Sequence, residues 1–254
     1  MVSELQSIIA RDGYEVAKKL GKSSNDSGET PLLLAIKGNH KEMVKFLVRE
    51  LKTPFNKLGR LFWNGADYEA VTPLFAAIVS GQYEIVAILL EENILEYLSV
   101  IKQVLKSNKL SRLQKIDTLE LMGAAFFLHC THFYEALCQE VGLLYWKYAM
   151  KLRYSTKDNE PDIPKTAQDL FSQKFFRNAS ELTTMEELDA ASRKGGIEFF
   201  KIQALLVCWR ILNRMDSRPN HFFLNHFYEH AVQRLSNQLK MDAFAFILEE
   251  FYAR

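Results

Sequence analysis

The sequence predicts an all-α fold, a helical solenoid built from two kinds of repeat. Two segments that begin with Thr-Pro-Leu, at Thr30 and Thr72, recur in the first hundred residues. A different pattern is centred on Gly123, where a large apolar residue, a glycine and an aromatic residue follow one another at helical-repeat spacing. No alternation of polar and apolar residues is persuasive enough to predict a strand.

The two Thr-Pro-Leu segments follow the ankyrin pattern T-P-L-H-x-A, which continues through a turn into an apolar second helix. They read TPLLLA at residues 30–35 and TPLFAA at residues 72–77. Threonine can cap the first helix of a repeat, and proline suits its first turn. Gly81, and Asn39 in the first copy, suit the left-handed residue of the turn between helices. We predict two full ankyrin repeats.

The connection between the two repeats is long. Their threonines lie 42 positions apart, whereas ankyrin repeats have a period of about 33 residues, so residues 51–70 hold the surplus. Ankyrin connections project beside a concave surface that commonly binds partners. We predict partner contacts from Trp63, Asn64, Asp67, Tyr68, Glu69 and Phe75. In this interpretation the aromatic residues are anchors and the carboxylates supply negative charge. The alternative is a long loop whose aromatic side chains only cover the repeat core.

Residues 119–126, LELMGAAF, match the tetratricopeptide spacing W-x₂-L-G-x₂-Y conservatively. Because Gly123 has no Cβ, a second helix can approach it closely. We predict that helix at residues 137–153, with Trp146 and Ala149 facing Gly123. The predicted domains are therefore residues 1–106, with capping helices and ankyrin repeats, and residues 107–254, with tetratricopeptide-like hairpins. Further helices are predicted at 4–10, 14–20, 94–106, 166–176, 196–212, 221–235 and 241–252, and another begins at Met185.

Composition narrows the functional class. The 254 residues carry a formal net charge of +1, with 48% apolar and 25% charged residues, which is ordinary for a globular protein and gives no reason to expect nucleic acid as a partner. The first residues do not form a signal peptide, and no apolar run is long enough for a membrane helix. The odd set Cys130, Cys138 and Cys208 predicts reduced thiols in the cytosol or nucleus.

No catalytic constellation, cofactor motif or phosphate-binding loop is recognisable, so we predict a protein that is not an enzyme and needs no cofactor. The segment His129-Cys130-Thr131-His132, near Cys138, raises the alternative of a zinc site. Its spacing does not match paired C-x₂-C ligands, and a helical hairpin already accounts for it, so no metal is predicted. A basic stretch from Lys102 to Lys115 is interpreted as a solvated helix face.

With both repeat types present, the chain resembles the Fem (feminisation) family, the ankyrin and tetratricopeptide substrate receptors of cullin-RING ubiquitin ligases. The segments that carry the resemblance are 119–124 (LELMGA), 145–155 (YWKYAMKLRYS), 186–188 (EEL), 203–207 (QALLV) and 10–13 (ARDG). The resemblance implies a substrate-recognition or adaptor protein in ubiquitin-dependent degradation, with a protein or C-terminal peptide as substrate and cullin–elongin components as partners. The alternative is a scaffold or decoy that binds protein but recruits no ligase.

The sequence departs from the family pattern at several places. Further ankyrin repeats and a cullin-binding box are not recognisable, so we expect the chain alone not to bind a cullin–elongin complex tightly. Residues 128–142 are expected to form an inserted loop. Family receptors read C-terminal degrons, often ending in Arg, with acidic ankyrin residues, one of them in a Phe-Asp-Gly stretch. Here that stretch is Trp63-Asn64-Gly65, and an Asn cannot pair its charge with a guanidinium.

Overall fold

A computed structural model describes residues 2–63, 65–92, 96–129, 135–154, 160–165, 174–176, 179–215 and 220–252. The chain divides into two compact units, Met1–Ser111 and Arg112–Arg254. The first unit contains the Thr-Pro-Leu repeats, and the second contains the Gly123 pattern. The architecture in both units is helical, as predicted.

The first unit contains paired short helices and one β-hairpin. Its elements are α1 (Val2–Asp12), α2 (Tyr14–Lys22), α3 (Pro31–Lys37), α4 (Lys41–Lys45), a π-helical segment (Phe46–Glu50), β1 (Gly59–Trp63), β2 (Ala66–Val71), α5 (Pro73–Val79), α6 (Tyr83–Leu90) and α7 (Tyr97–Lys106). The predicted helix pair at the N-terminus is confirmed. The predicted helix at 94–106 is confirmed from Tyr97 onward, and residues 94 and 95 lie outside the described residues.

Local side-chain chemistry sets the ends of the repeat helices. The Oγ1 of Thr30 accepts a hydrogen bond from the backbone N–H of Leu33 at 3.2 Å, and the Oγ1 of Thr72 accepts one from Phe75 at 3.0 Å. Each threonine satisfies a helix N–H that has no intrahelical acceptor. In the turns that follow, Asn39 and Gly81 have φ values of 53° and 70°. The capping and turn predictions are confirmed.

The connection between the repeats is a β-hairpin, so the prediction that the chain has no strand is wrong. Strands β1 and β2 pair antiparallel, with Leu61 opposite Tyr68 and Phe62 opposite Asp67. In the sequence, Asn64 and Gly65 separate the residues of the two strands, and Gly65 has a φ of 81°. An Asn-Gly pair between short strands favours a two-residue hairpin turn, because both positions tolerate positive φ.

The second unit contains longer helices. These are α8 (Arg112–Leu128), α9 (Glu135–Arg153), α10 (Met185–Lys194), α11 (Ile197–Met215), α12 (His221–Arg234) and α13 (Asn237–Tyr252). The expected inserted loop at 128–142 is wrong over its second half, because α9 begins at Glu135 and buries Cys138 and Val141. Most of the predicted helix at 166–176 lies outside the described residues. A capping box formed by Thr184 and Glu187 starts α10 as predicted.

Helices α8 and α9 pack closely where two glycines meet. A Cβ placed on Gly123 would lie 2.5 Å from Trp146 Cδ1 and 3.0 Å from the carbonyl oxygen of Gly142. Trp146 also donates a hydrogen bond from Nε1 to the carbonyl oxygen of Glu120 at 3.0 Å. Trp146 and Ala149 are buried against α8, as predicted. The missing Cβ of Gly123 therefore makes room for the indole ring.

Five buried or nearly buried charged side chains form what we call the ionic cluster: Glu120, Arg153, Lys165, Glu181 and Arg210. Arg153 donates to both carboxylate oxygens of Glu120 at 2.8 Å. Arg210 donates to Glu120 at 2.6 Å and to Glu181 at 2.7 Å, and Lys165 Nζ lies 3.0 Å from Glu181. The cluster joins α8, α9 and α11 to two irregular segments. Mutual pairing offsets the cost of removing these charges from water.

Candidate functional site

The hairpin between the repeats has an inner and an outer face. Alternate side chains of a strand point to opposite faces, which separates Leu61 from its neighbours. Leu61 is buried, and its cross-strand partner Tyr68 packs edge-to-face on buried Phe75 with ring centroids 6.2 Å apart. Arg60 and Phe62 are exposed. The inner face therefore covers the repeat core, and the outer face meets solvent.

The predicted contact residues divide between these two faces. Tyr68 and Phe75 lie together on the inner side, and Trp63 is half-buried. For Tyr68 and Phe75 this arrangement matches the alternative interpretation, in which aromatic side chains cover the core. Asp67 and Glu69 are exposed. Asn64 lies outside the described residues, so its place relative to the others is not described.

Sequence reasoning missed the residue that the outer face exposes most clearly. The side chain of Phe62 is 55% exposed, and it is a directly opposed partner of Asp67 across the hairpin. The prediction named its neighbour Trp63 instead. The signal that could have identified Phe62 is parity: once Leu61 is assigned to the core, both of its neighbours must face outward.

An ion pair connects the two strands on the outer face. Arg60 Nε donates to Asp67 Oδ1 at 2.9 Å, and Arg60 Nη2 contacts Asp67 Oδ2. The hydrogen bond from Arg60 lowers the pKa of the Asp67 carboxyl. Asp67 is thus already paired within the chain. Among the described residues Glu69 forms no ion pair, and it is the carboxylate on this face that is available to a partner.

A groove of about 730 Å³ lies at the base of the hairpin. The turn that contains Asp26 and Gly28 lines it, as do Lys106 at the end of α7, Lys109 in the segment that follows, and Glu69 from β2. The backbone N–H of Arg60 donates to the carbonyl oxygen of Gly28 at 3.1 Å, which fixes β1 against that turn. The groove therefore combines charges of both signs with a fixed backbone edge.

The remaining predicted features do not add a chemical site. His129 is described, but Cys130 and His132 of the zinc alternative lie outside the described residues. Within the described ranges no group of three His, Cys, Asp or Glu side chains is placed to hold a metal ion. The thiols of Cys138 and Cys208 are buried, and burial raises the pKa of the Cys208 thiol.

The interpretation of the basic stretch as one solvated face is only partly right. Lys102 and Lys106 are exposed on α7. Arg112 instead donates from Nε to the carbonyl oxygen of Leu152 at 2.6 Å and from Nη2 to that of Arg153 at 2.8 Å. These carbonyls belong to the last turn of α9, where a cation is favourable. Arg112 is therefore a structural residue of the second unit.

Across the described part of the chain, none of the helices has the length and apolar character needed to cross a membrane.

Comparison with known proteins identifies the repeats. Residues 7–99 match the family model described as ankyrin repeats (3 copies). The chain is also similar to protein fem-1 homolog C of Xenopus laevis, with 30% identity over 155 residues, which is 61% of this chain and 20% of that protein. The chain thus spans about a fifth of the length of this relative. Together with the capped helix pairs, the match shows that residues 7–99 of the first unit form ankyrin repeats.

Proposed function

We propose that this chain is a substrate-recognition or adaptor protein of a cullin-RING ubiquitin ligase, and that it binds its protein substrate with the outer face of the β-hairpin. Ankyrin repeats indicate protein–protein interaction and generally act as binding scaffolds rather than as enzymes. The observation that carries the binding surface is the exposure of Phe62 beside the ion pair of Arg60 with Asp67.

The physical basis is an aromatic anchor on a stiff support. Aromatic side chains contribute large contact area in binding, and a surface that is ordered before binding loses less entropy. The hairpin is backed by the packing of Tyr68 on Phe75 and is tied to the preceding turn through Gly28. The adjoining groove offers Glu69 and Lys106 as charged contacts at its edges.

The ligase part of the proposal rests on similarity. It is supported by the segments that resemble the Fem family and by the 30% identity with protein fem-1 homolog C. The alternative is an ankyrin scaffold or decoy that binds protein and recruits no ligase. Recovery of cullin and elongin together with a substrate would favour the adaptor, and recovery of a bound protein without them would favour the scaffold.

Replacing Phe62 with Ser should abolish recovery of the substrate when the tagged chain is purified from cells and its partners are measured by quantitative mass spectrometry. The reason is the loss of the anchor, and anchor truncations typically cost about 2 kcal/mol or more of binding. Tyr228→Ser is the matched control, because Tyr228 is exposed to a similar extent, 50% against 55%, and lies on α12 of the second unit. If both variants lost the substrate equally, the result would argue against the hairpin as the binding surface.

Asn64→Asp should strengthen binding of peptides that end in Arg, if the ankyrin surface takes peptide tails. A desolvated hydrogen bond between a carboxylate and a guanidinium contributes about 1.5–3 kcal/mol to the free energy of binding. The neutral carbonyl of Asn contributes only a small part of that energy. Titration of fluorescent peptides that end in Arg or Ala, against the wild type and the variant, measures the preference. A wild-type preference for Arg that the substitution leaves unchanged would show that position 64 does not contact the tail.

A further inference from the structure

Residues 160–165, with the sequence EPDIPK, lie beside the start of α8 and the end of α9 in an irregular conformation. We call this segment the strap. The side chains of Glu160, Pro161, Asp162 and Pro164 are exposed, and Ile163 is only half-buried. The strap therefore buries little apolar surface, and the hydrophobic effect contributes little to holding it in place.

Polar contacts attach the strap instead. Arg112 donates to the carbonyl oxygen of Pro161 at 2.7 Å. Arg153 donates from Nη1 to the carbonyl oxygen of Ile163 at 2.8 Å, and the N–H of Ile163 donates to the carbonyl oxygen of Arg153 at 3.0 Å. At the end of the strap, Lys165 inserts its amine into the ionic cluster, where its side chain is only 7% exposed.

Lys165 differs from the other members of the cluster in how it is paired, because its amine lies 3.0 Å from Glu181 and 3.9 Å from Glu120. Without Lys165 the cluster has two carboxylates, Glu120 and Glu181, and two guanidiniums, Arg153 and Arg210, and these already pair with one another. Lys165 adds a third positive charge. Its removal leaves two carboxylates and two guanidiniums that keep their mutual hydrogen bonds. Removal of either arginine would instead break the hydrogen bonds that join Glu120 to α9 or to α11.

We propose that the strap is a detachable element held by an ionic latch, in which the charge on Lys165 keeps the strap closed over the cluster. Loss of that charge releases residues 160–165 while α8, α9 and α11 stay packed through the four remaining charges. Such a local opening requires far less free energy than global unfolding, because few apolar contacts are lost. Release uncovers Arg153 and Glu181, so the charge state of Lys165 determines whether this charged surface reaches solvent.

The test is amide hydrogen exchange of the full chain, followed by NMR at Ile163 and at amides inside α8 and α9. Lys165→Gln removes the charge and keeps a polar side-chain end, and Lys165→Met removes both. Each should lower the protection factor of the Ile163 amide at least about tenfold, while protection inside α8 and α9 changes less than about twofold.

Lys194→Gln is the matched control, because it removes an exposed lysine of α10 and should leave the Ile163 amide unchanged. The proposal is overturned if Ile163 keeps its protection in both Lys165 variants. It is equally overturned if protection in α8 and α9 falls in parallel with that of Ile163, or if the variants do not fold. Either of those results would make Lys165 an integral part of the core rather than a latch.

Discussion

Glu120→Gln should lower the free energy of unfolding of the Arg112–Arg254 unit by about 3–5 kcal/mol, the typical cost of removing one partner from a buried ion pair. Glu120 accepts hydrogen bonds from Arg153 and Arg210 at 2.6–2.8 Å, and its side chain is only 3% exposed. The substitution leaves the guanidiniums with one buried carboxylate between them. Hydrogen exchange of the α8 amides in the full chain measures the loss specifically in this unit.

An exposed carboxylate supplies the control for this prediction. Glu249→Gln on α13 should change the free energy of unfolding by less than about 0.5 kcal/mol, as most surface substitutions do. If Glu120→Gln were equally mild, the ionic cluster would not hold α8, α9 and α11 together.

The same cluster predicts acid sensitivity. Burial alone would raise the pKa of Glu120, but Arg210, Lys165 and Arg153 outweigh it and hold that pKa well below its usual range. Burial would likewise raise the pKa of Glu181, but the positive charges of Lys165 and Arg210 lower it. Carboxyls with a lowered folded-state pKa stabilise the fold above their unfolded pKa, about 4.3 for Glu, and this stabilisation is lost as pH falls below it. Burial raises the pKa of Asp117, so the ionised form of this carboxyl lowers the stability of the fold, and its protonation at lower pH removes that cost.

Gly123→Leu should destabilise the second unit by about 1–3 kcal/mol or more, because the new side chain must occupy space already filled by Trp146. The first added carbon alone would approach Trp146 Cδ1 to 2.5 Å, and Trp146 is anchored by its hydrogen bond to Glu120. Chemical denaturation followed by tryptophan fluorescence reports this change.

Gly196 is the matched position for this experiment. A Cβ placed there meets no atom within 4 Å. Gly196→Leu should therefore leave the denaturation midpoint nearly unchanged. If the two leucine variants had the same denaturation midpoint, the close approach of α8 and α9 at Gly123 would not contribute to stability.

The parts of the fold that sequence predicted well depend on local chemistry. Thr30 and Thr72 cap the helices that follow them, and Asn39 has the positive φ that its turn position predicts. These relations span three or four residues and can be recognised in a single sequence. The hairpin also had a local signal in Asn64-Gly65, but strands this short show little alternation.

Contacts between residues that are far apart in the sequence could not be predicted in this way. Glu120 pairs with Arg153 and Arg210, which are 33 and 90 positions away, and nothing in the spacing of these residues indicates that they meet. For the candidate site, the exposed aromatic residue can be identified only when the face of each residue in β1 is known. A shift of one residue along a strand exchanges the two faces, and the prediction named Trp63, which is half-buried, whereas its neighbour Phe62 is exposed.

Site-specific photo-crosslinking tests most directly the claim that the outer face of the hairpin recognises the substrate. A photoreactive phenylalanine analogue is placed at position 62 in one variant and at position 228 in another, two aromatic positions with similar exposure. After irradiation in cells, we expect a covalent adduct with the substrate from position 62 and none from position 228. An adduct from position 228 without one from position 62 would contradict the account, because it would place recognition on the second unit.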